Sequence, residues 1–319
     1  MRSSYSTLQA MWVTMRPYLL FVSGITGAAG MALSSTTAPL PLIAIYVASF
    51  FAYGFGQALT DCFQTDTDAI SAPYRPLASG KVSRNTILSL SLAGLTACVV
   101  VFAVRNPWNL ALGVTCAAGL ATYTTFKRRW WGGPWYNAWI VSGLCVMGFL
   151  GAHGNTPFAF PKTFLPILSA VFFGYANFVL SGYFKDIDAD AATGYNTFPV
   201  VFGRRPAALA SDLFALLFML SCLWGALTAI DATALRGEHL LALLFAVPGL
   251  FYLLTAQIQL HRNFADKEAF APILRVVHAY ILLLSALVVL LRPEWTIPLI
   301  VHYGLFVFVL ARRPEVSQI

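Results

Sequence analysis

Charge is the scarcest property of this sequence. Only 10% of its 319 residues are Asp, Glu, Lys or Arg, against about 25% in a soluble domain. So few charges cannot cover a water-facing surface, which excludes an ordinary soluble globular protein and requires most of the exterior to face lipid. The five cysteines, Cys62, Cys98, Cys116, Cys145 and Cys222, form neither a CxxC pair nor a Cys/His metal spacing. Four fall inside apolar runs, so they read as small buried residues rather than metal ligands or disulfides. No cleavable signal pattern precedes the first apolar run near Tyr18, and targeting is expected from the first span itself. The histidines carry no signal; His278, inside a span, reads as an interhelical hydrogen-bonding residue.

What is present is apolar: 58% of the chain is hydrophobic and the mean hydropathy is +0.71. Runs long enough for a spanning helix, about 20 residues, lie near 18–34, 39–58, 86–104, 107–126, 136–153, 164–183, 207–228, 239–260 and 272–291. A shorter run, 297–310, would reach only about 21 Å as a helix, and an interfacial or re-entrant placement is expected for it ahead of a tenth crossing. The fold class is an all-α polytopic membrane protein of nine spans plus this terminal segment, forming one domain over 1–319.

The basic residues orient it. One set of alternating segments holds Arg2, Arg16, Arg75, Lys81, Arg84, Lys127, Arg128, Arg129, Lys185, Arg204, Arg205, Arg262, Lys267, Arg275, Arg312 and Arg313; the other holds Arg105, Lys162, Arg236 and Arg292. Sixteen against four places the first set in the cytoplasm by the positive-inside rule. The net charge of +7 therefore has a membrane explanation, and no nucleic-acid partner is expected. A bacterial inner membrane is favoured by the compact loops.

Six of the thirteen acidic residues cluster in two cytoplasmic segments, each directly after an apolar span. Within 59–85 the chain reads Thr60-Asp61-Cys62-Phe63-Gln64-Thr65-Asp66-Thr67-Asp68, then Pro73-Tyr74-Arg75-Pro76 and Ser79-Gly80. Within 184–206 it reads Lys185-Asp186-Ile187-Asp188-Ala189-Asp190, then Gly194 and Phe198-Pro199-Val200. Asp186 and Asp190 are one helical turn apart, and Asp61, Gln64 and Asp68 share a second face. Carboxylates crowded on one face repel unless a cation lies between them, and Mg²⁺ favours a few carboxylates plus phosphate oxygens. Asp66 and Asp188 read equally well as solvated loop charges.

These motifs resemble the aspartate-rich segments of the UbiA superfamily of intramembrane prenyltransferases. The Asp68-Ala69-Ile70 stretch with its Arg-Pro and Ser-Gly tail is especially similar to chlorophyll synthases and archaeal ether-lipid prenyltransferases. The second segment resembles the family's DxxxD motif, Tyr123 to Lys127 is like its YxxxK, and Arg16-Pro17 enters the first span as in the family. The first motif departs from the pattern: where the family has NxxxDxxxD, this chain has Thr60, Gln64 and Asp68.

The resemblance implies Mg²⁺-dependent transfer of a prenyl group from an allylic prenyl diphosphate to a lipophilic or aromatic acceptor. Asp61, Gln64, Asp68, Asp186 and Asp190 would be the metal ligands; Arg16, Arg75, Lys127, Arg128 and Lys185 would contact the diphosphate. Tyr123 would steady the allylic cation or hydrogen-bond the diphosphate, and Asn177, polar within an apolar span, would orient the acceptor if it does not simply join two helices. Cyclisation of a prenyl diphosphate without acceptor is a second enzymatic reading, and an ion-coupled transporter a remoter one.

Overall fold

The computed structural model describes residues 6–157, 159–230, 237–262, 265 and 268–313; Arg2, Arg236 and Lys267 lie outside them. Every run expected to span is helical. In chain order the helices are α1 (Thr7–Thr14), α2 (Leu20–Ala32), α3 (Pro39–Asp61), α4 (Thr65–Ser71), α5 (Arg84–Arg105), α6 (Trp108–Arg129), α7 (Gly133–His153), α8 (Phe164–Tyr183), α9 (Ile187–Ala192), α10 (Phe198–Phe202), α11 (Arg204–Ala229), α12 (Gly237–Leu240), α13 (Leu243–Leu260), α14 (Phe270–Leu291) and α15 (Thr296–Ala311).

Eight helical stretches among the described residues are long and apolar enough to cross a membrane: α3, α5, α7, α8, α11, α13, α14 and Pro293–Ala311. The last bears on the terminal segment: a 3₁₀ turn at Pro293–Trp295 feeds directly into α15, so the run extends to 19 residues, enough in length and composition for a tenth crossing. Two expected spans fall outside these eight. The apolar stretch Pro17–Ala32 is short, while α6 has the length, 22 residues, but is diluted by threonines and by the basic triplet Lys127, Arg128 and Arg129.

Burial orders the bundle. α14 is the central helix, with 83% of its apolar window enclosed by α2, α8, α11 and α13. α11 instead turns Leu213, Leu216 and Leu220 outward, and α13 turns Leu244, Val247 and Phe251 outward, as lipid contact requires. α2 fits between α3 and α7 because its contact face lacks side chains: a Cβ on Gly30 would collide with the Cys145 backbone of α7.

Two short helices cap one end. α3 stops at Asp61 and the chain re-enters helix at α4; α8 stops at Tyr183 and re-enters at α9. Each cap helix carries two aspartates in its first turn, Asp66 and Asp68 or Asp188 and Asp190, where the helix dipole favours negative charge. The caps touch through Thr67 and Thr193, whose hydroxyls are 2.9 Å apart. Gly194, at φ +73°, supplies the left-handed turn after α9, a conformation nearly free of cost only for glycine.

Candidate active site

A cavity of about 200 Å³ descends between α3, α5, α6, α7 and α8, with Gln64, Arg75, Lys185 and Asp186 of the cap segments lining it. Its polar mouth is lined by Arg16, Gln57, Thr60, Gln64, Arg75, Tyr123, Lys127, Tyr183, Lys185 and Asp186. Its deep part is apolar, with Leu95, Cys98, Phe102, Cys116, Leu144 and Met147. Along α6 the lining runs from Lys127 to Gly113, fourteen residues or about 21 Å of helix, most of the depth of a bilayer core.

At the mouth, buried carboxylates face buried cations. Arg16 Nη2 donates to both oxygens of Asp61 at 3.0 Å. Arg75 Nη1 donates to Asp68 Oδ1 at 2.6 Å, and Lys127 Nζ to Asp190 Oδ1 at 3.1 Å. The last pair ties α6 to α9 across 63 residues of sequence. Asp186 and Asp190 sit one turn apart, joined by an Asp190 N to Asp186 O bond of 2.7 Å, as their spacing predicts. Asp68 Oδ2 and Asp190 Oδ2 are buried with no hydrogen-bond partner among the described residues.

Protonation follows from these surroundings. Burial pushes the Asp68 carboxyl above its usual range despite Arg75, and pushes Asp190 up despite Lys127. Burial acts the same way on Asp186, but Lys185, Lys127 and Arg75 outweigh it and hold that carboxyl below its usual value. Lys185 is pulled down to about 8 by burial, with Asp186 opposing and Arg75 and Arg16 reinforcing. The mouth therefore combines fixed positive charge with carboxylate oxygens whose charge is only partly compensated.

Three expected site residues lie elsewhere or are otherwise engaged. Arg128 is one residue past Lys127, and the 100° helical step turns it out of the cavity. There it pairs with Asp66 and lies over the Tyr195 ring, 4.3 Å from its centroid. Asn177 is fully buried and donates to Ser211 O and Ser211 Oγ, both at 2.9 Å, in a network with Gln257. It joins α8, α11 and α13 and does not line the cavity. Asp61 has both oxygens occupied, and among the described residues no three Asp, Glu, His or Cys side chains converge into a ready metal cage.

Two lining residues escaped the sequence reading. Gln57 donates to Asp61 Oδ1 at 2.6 Å; as a lone amide one turn before Asp61 in an apolar span, it had a signal that could have found it. The Tyr183 hydroxyl lies 2.8 Å from that of Tyr123, and its ring is 5.1 Å from Lys127 Nζ. That proximity arises because α6 and α8 both pack on α7, and it has no sequence signature.

The profile of the UbiA prenyltransferase family matches residues 21–276, most of the chain and both aspartate-rich segments. The chain belongs to the UbiA prenyltransferase family. As a UbiA prenyltransferase it is an enzyme and a multi-pass integral membrane protein, which displaces the transporter reading. It is 27% identical over 213 residues to a digeranylgeranylglyceryl phosphate synthase of Thermococcus kodakarensis, spanning 63% of this chain and 72% of that one. It is 28% identical over 197 residues to the bacteriochlorophyll synthase 33 kDa chain of Cereibacter sphaeroides, spanning 59% and 64%. In fold it is similar to a UbiA homologue from Aeropyrum pernix, with TM-score 0.66 at 20% identity over 86% of this chain and 96% of that one. It is also similar to a UbiA homologue from Archaeoglobus fulgidus bound to GPP and Mg²⁺, with TM-score 0.64 at 17% identity over 88% and 99%.

Proposed function

We propose that this UbiA prenyltransferase moves a prenyl group from an allylic prenyl diphosphate to a lipophilic or aromatic acceptor within the membrane. The observation that carries this reading is the polarity gradient of the cavity: four cations, Arg16, Arg75, Lys127 and Lys185, at one end and a largely apolar shaft below them. A diphosphate with a hydrocarbon tail matches both halves at once. The Archaeoglobus fulgidus homologue bound to GPP and Mg²⁺ supports the same donor class.

In the reaction, the C1–O bond of the donor breaks heterolytically and the electron pair leaves on the diphosphate. The acceptor's nucleophilic atom then bonds to C1 and releases its proton. Charge grows on the leaving group as the bond breaks, so pre-positioned cations lower the barrier. Lys127, Arg75, Arg16 and Lys185 surround that position. The Tyr123 and Tyr183 rings stand at the boundary between the polar mouth and the shaft, where an allylic cation would form and a π face would favour it. The apolar shaft excludes water that would otherwise quench the cation to an alcohol.

Mg²⁺ is the cofactor we infer. The unpartnered buried oxygens Asp68 Oδ2 and Asp190 Oδ2, with Asp186, are the hard oxygen donors such an ion takes alongside phosphate. When bound it would add charge neutralisation on the diphosphate. The charge bias of the loops supports a cytoplasmic mouth, and their compactness a bacterial inner membrane.

Purified protein incubated with Mg²⁺ and labelled prenyl diphosphates, with and without lipophilic and aromatic acceptors, tests the reading. Acceptor-dependent diphosphate release with a prenylated product is expected. Hydrocarbon or alcohol products formed equally without acceptor would instead support the cyclase reading, and no release with any donor would refute both.

A further inference from the structure

Asp61 differs from the other site carboxylates, Asp68 and Asp190, in what it has left to offer. At the second segment Asp190 makes one bond, to Lys127, and keeps a buried Oδ2 with no partner among the described residues; Asp68 does the same with Arg75. Asp61 is saturated. Arg16 Nη2 takes both its oxygens at 3.0 Å, and the amides of Gln57 and Gln64 add bonds to Oδ1 at 2.6 and 3.2 Å. It is 2% exposed, and neither of its oxygens is left without a partner, unlike Oδ2 of Asp68 and Asp190.

The neighbouring positions offer no charge in compensation. Thr60 and Gln64 are neutral, and both turn a donor to a neighbour: the Thr60 hydroxyl donates to Gln57 O at 2.9 Å, and Gln64 Nε2 to Asp61 Oδ1. A divalent ion here would sit among neutral groups beside the Arg16 guanidinium, with the one carboxylate, Asp61, already paired to that guanidinium through both oxygens.

Arg16 is the complementary anomaly. Among the described residues it is the one non-glycine residue with positive φ, +52°, a backbone conformation that bulky residues adopt only when their surroundings impose it. Asp61 and the following Pro17 hold it there, 6% exposed yet lining the cavity mouth. Its Nε has no hydrogen-bond partner among the described residues. A buried donor without a partner is costly unless a ligand supplies an acceptor, and diphosphate oxygens are acceptors for a guanidinium.

We propose that the Thr60, Asp61 and Gln64 face of the first acidic segment holds no metal ion of its own, and that Arg16, fixed by Asp61, supplies there the positive charge on the diphosphate. One divalent cation then serves the site, on the side of Asp186 and Asp190, with Asp68. Asp61 is a positioning residue acting through Arg16. The inference rests on the prenyl diphosphate reading given above.

Counting Mn²⁺ by electron paramagnetic resonance tests it, on full-length protein in detergent saturated with geranyl diphosphate. One bound Mn²⁺ per chain is expected, and two would overturn the inference while leaving the proposed function standing. Absence of Mn²⁺ binding with geranyl diphosphate still bound would overturn the inference together with the cofactor assignment. Failure to bind geranyl diphosphate at all would refute the underlying reading. The double variant Thr60→Asn/Gln64→Asp restores ligands and should raise the count to two; an unchanged count contradicts the role given to those positions. Asp61→Asn should weaken geranyl diphosphate binding at least tenfold while the count stays at one, whereas a count of zero would make Asp61 a ligand and defeat the proposal.

Discussion

The Lys127 ammonium lies 3.1 Å from Asp190 Oδ1, and this bond fastens the last turn of α6 to the cap helix α9. Both side chains are nearly sealed from solvent, at 6% and 0% exposure, so neither charge has water to fall back on. Removing one partner leaves an uncompensated buried charge, which typically costs about 3–5 kcal/mol. Lys127→Met and Asp190→Asn should therefore each lower the Tm measured in detergent. The double variant should lose less than the sum of the two. Additive losses would show that the pair is not coupled.

Asp186 is held ionised by Lys185, Lys127 and Arg75 and lines the mouth directly. Asp186→Ala should reduce turnover at least a thousandfold, as loss of a group acting on the departing diphosphate would, while membrane insertion stays normal. The check is initial rate against the amount of folded protein by size exclusion. Retained activity would remove Asp186 from the site.

The Lys185 ammonium, drawn down to about 8, predicts a pH dependence within a convenient range. Below about 8 the side chain is charged and attracts diphosphate; above it the charge is lost. Affinity for geranyl diphosphate without metal should fall as pH rises through 8, and Lys185→Arg should flatten that fall. Stability runs in the opposite sense. An unfolded lysine titrates near 10.4, so between about 8 and 10.4 the unfolded chain binds more protons and folding becomes more favourable as pH rises. Equilibrium binding and thermal unfolding across pH 6–10 check the two signs.

The apolar shaft sets a length limit. Cys116 lines it eleven residues before Lys127 on α6, about 16 Å along the helix. An extended chain advances about 1.2 Å per bond, so a four-bond isoprene unit takes about 5 Å and the fourth unit of a geranylgeranyl tail would lie at or beyond Cys116. Cys116→Trp should cut turnover of geranylgeranyl diphosphate at least tenfold and spare geranyl diphosphate. Equal loss for both donors, by product mass spectrometry, would place the tail elsewhere.

How much of this was legible in the sequence varied with the kind of signal. Spans were readable because twenty apolar residues have few alternatives in lipid, and the turn-spaced Asp186 and Asp190 because helical periodicity is local. The terminal helix looked short because its apolar run covers only 297–310; the helical stretch starts at Pro293, where proline at the start of a helix is tolerated. Lys127 stood out from the basic triplet through its YxxxK spacing, but the place of Arg128 did not; the helix register turns it from the cavity to Asp66. The clamp of Arg16 on Asp61 spans 45 residues, and Tyr123 meets Tyr183 across 60. Such contacts arise from tertiary packing and leave no periodic trace.

The most direct test of the central claim is an experimental structure with Mg²⁺ and a non-hydrolysable geranylgeranyl diphosphate analogue. The account predicts the diphosphate among Arg16, Arg75, Lys127 and Lys185, with the tail descending past Cys116 toward Phe102 and Met147. A diphosphate bound away from these cations, or a tail lying outside the shaft, would contradict it.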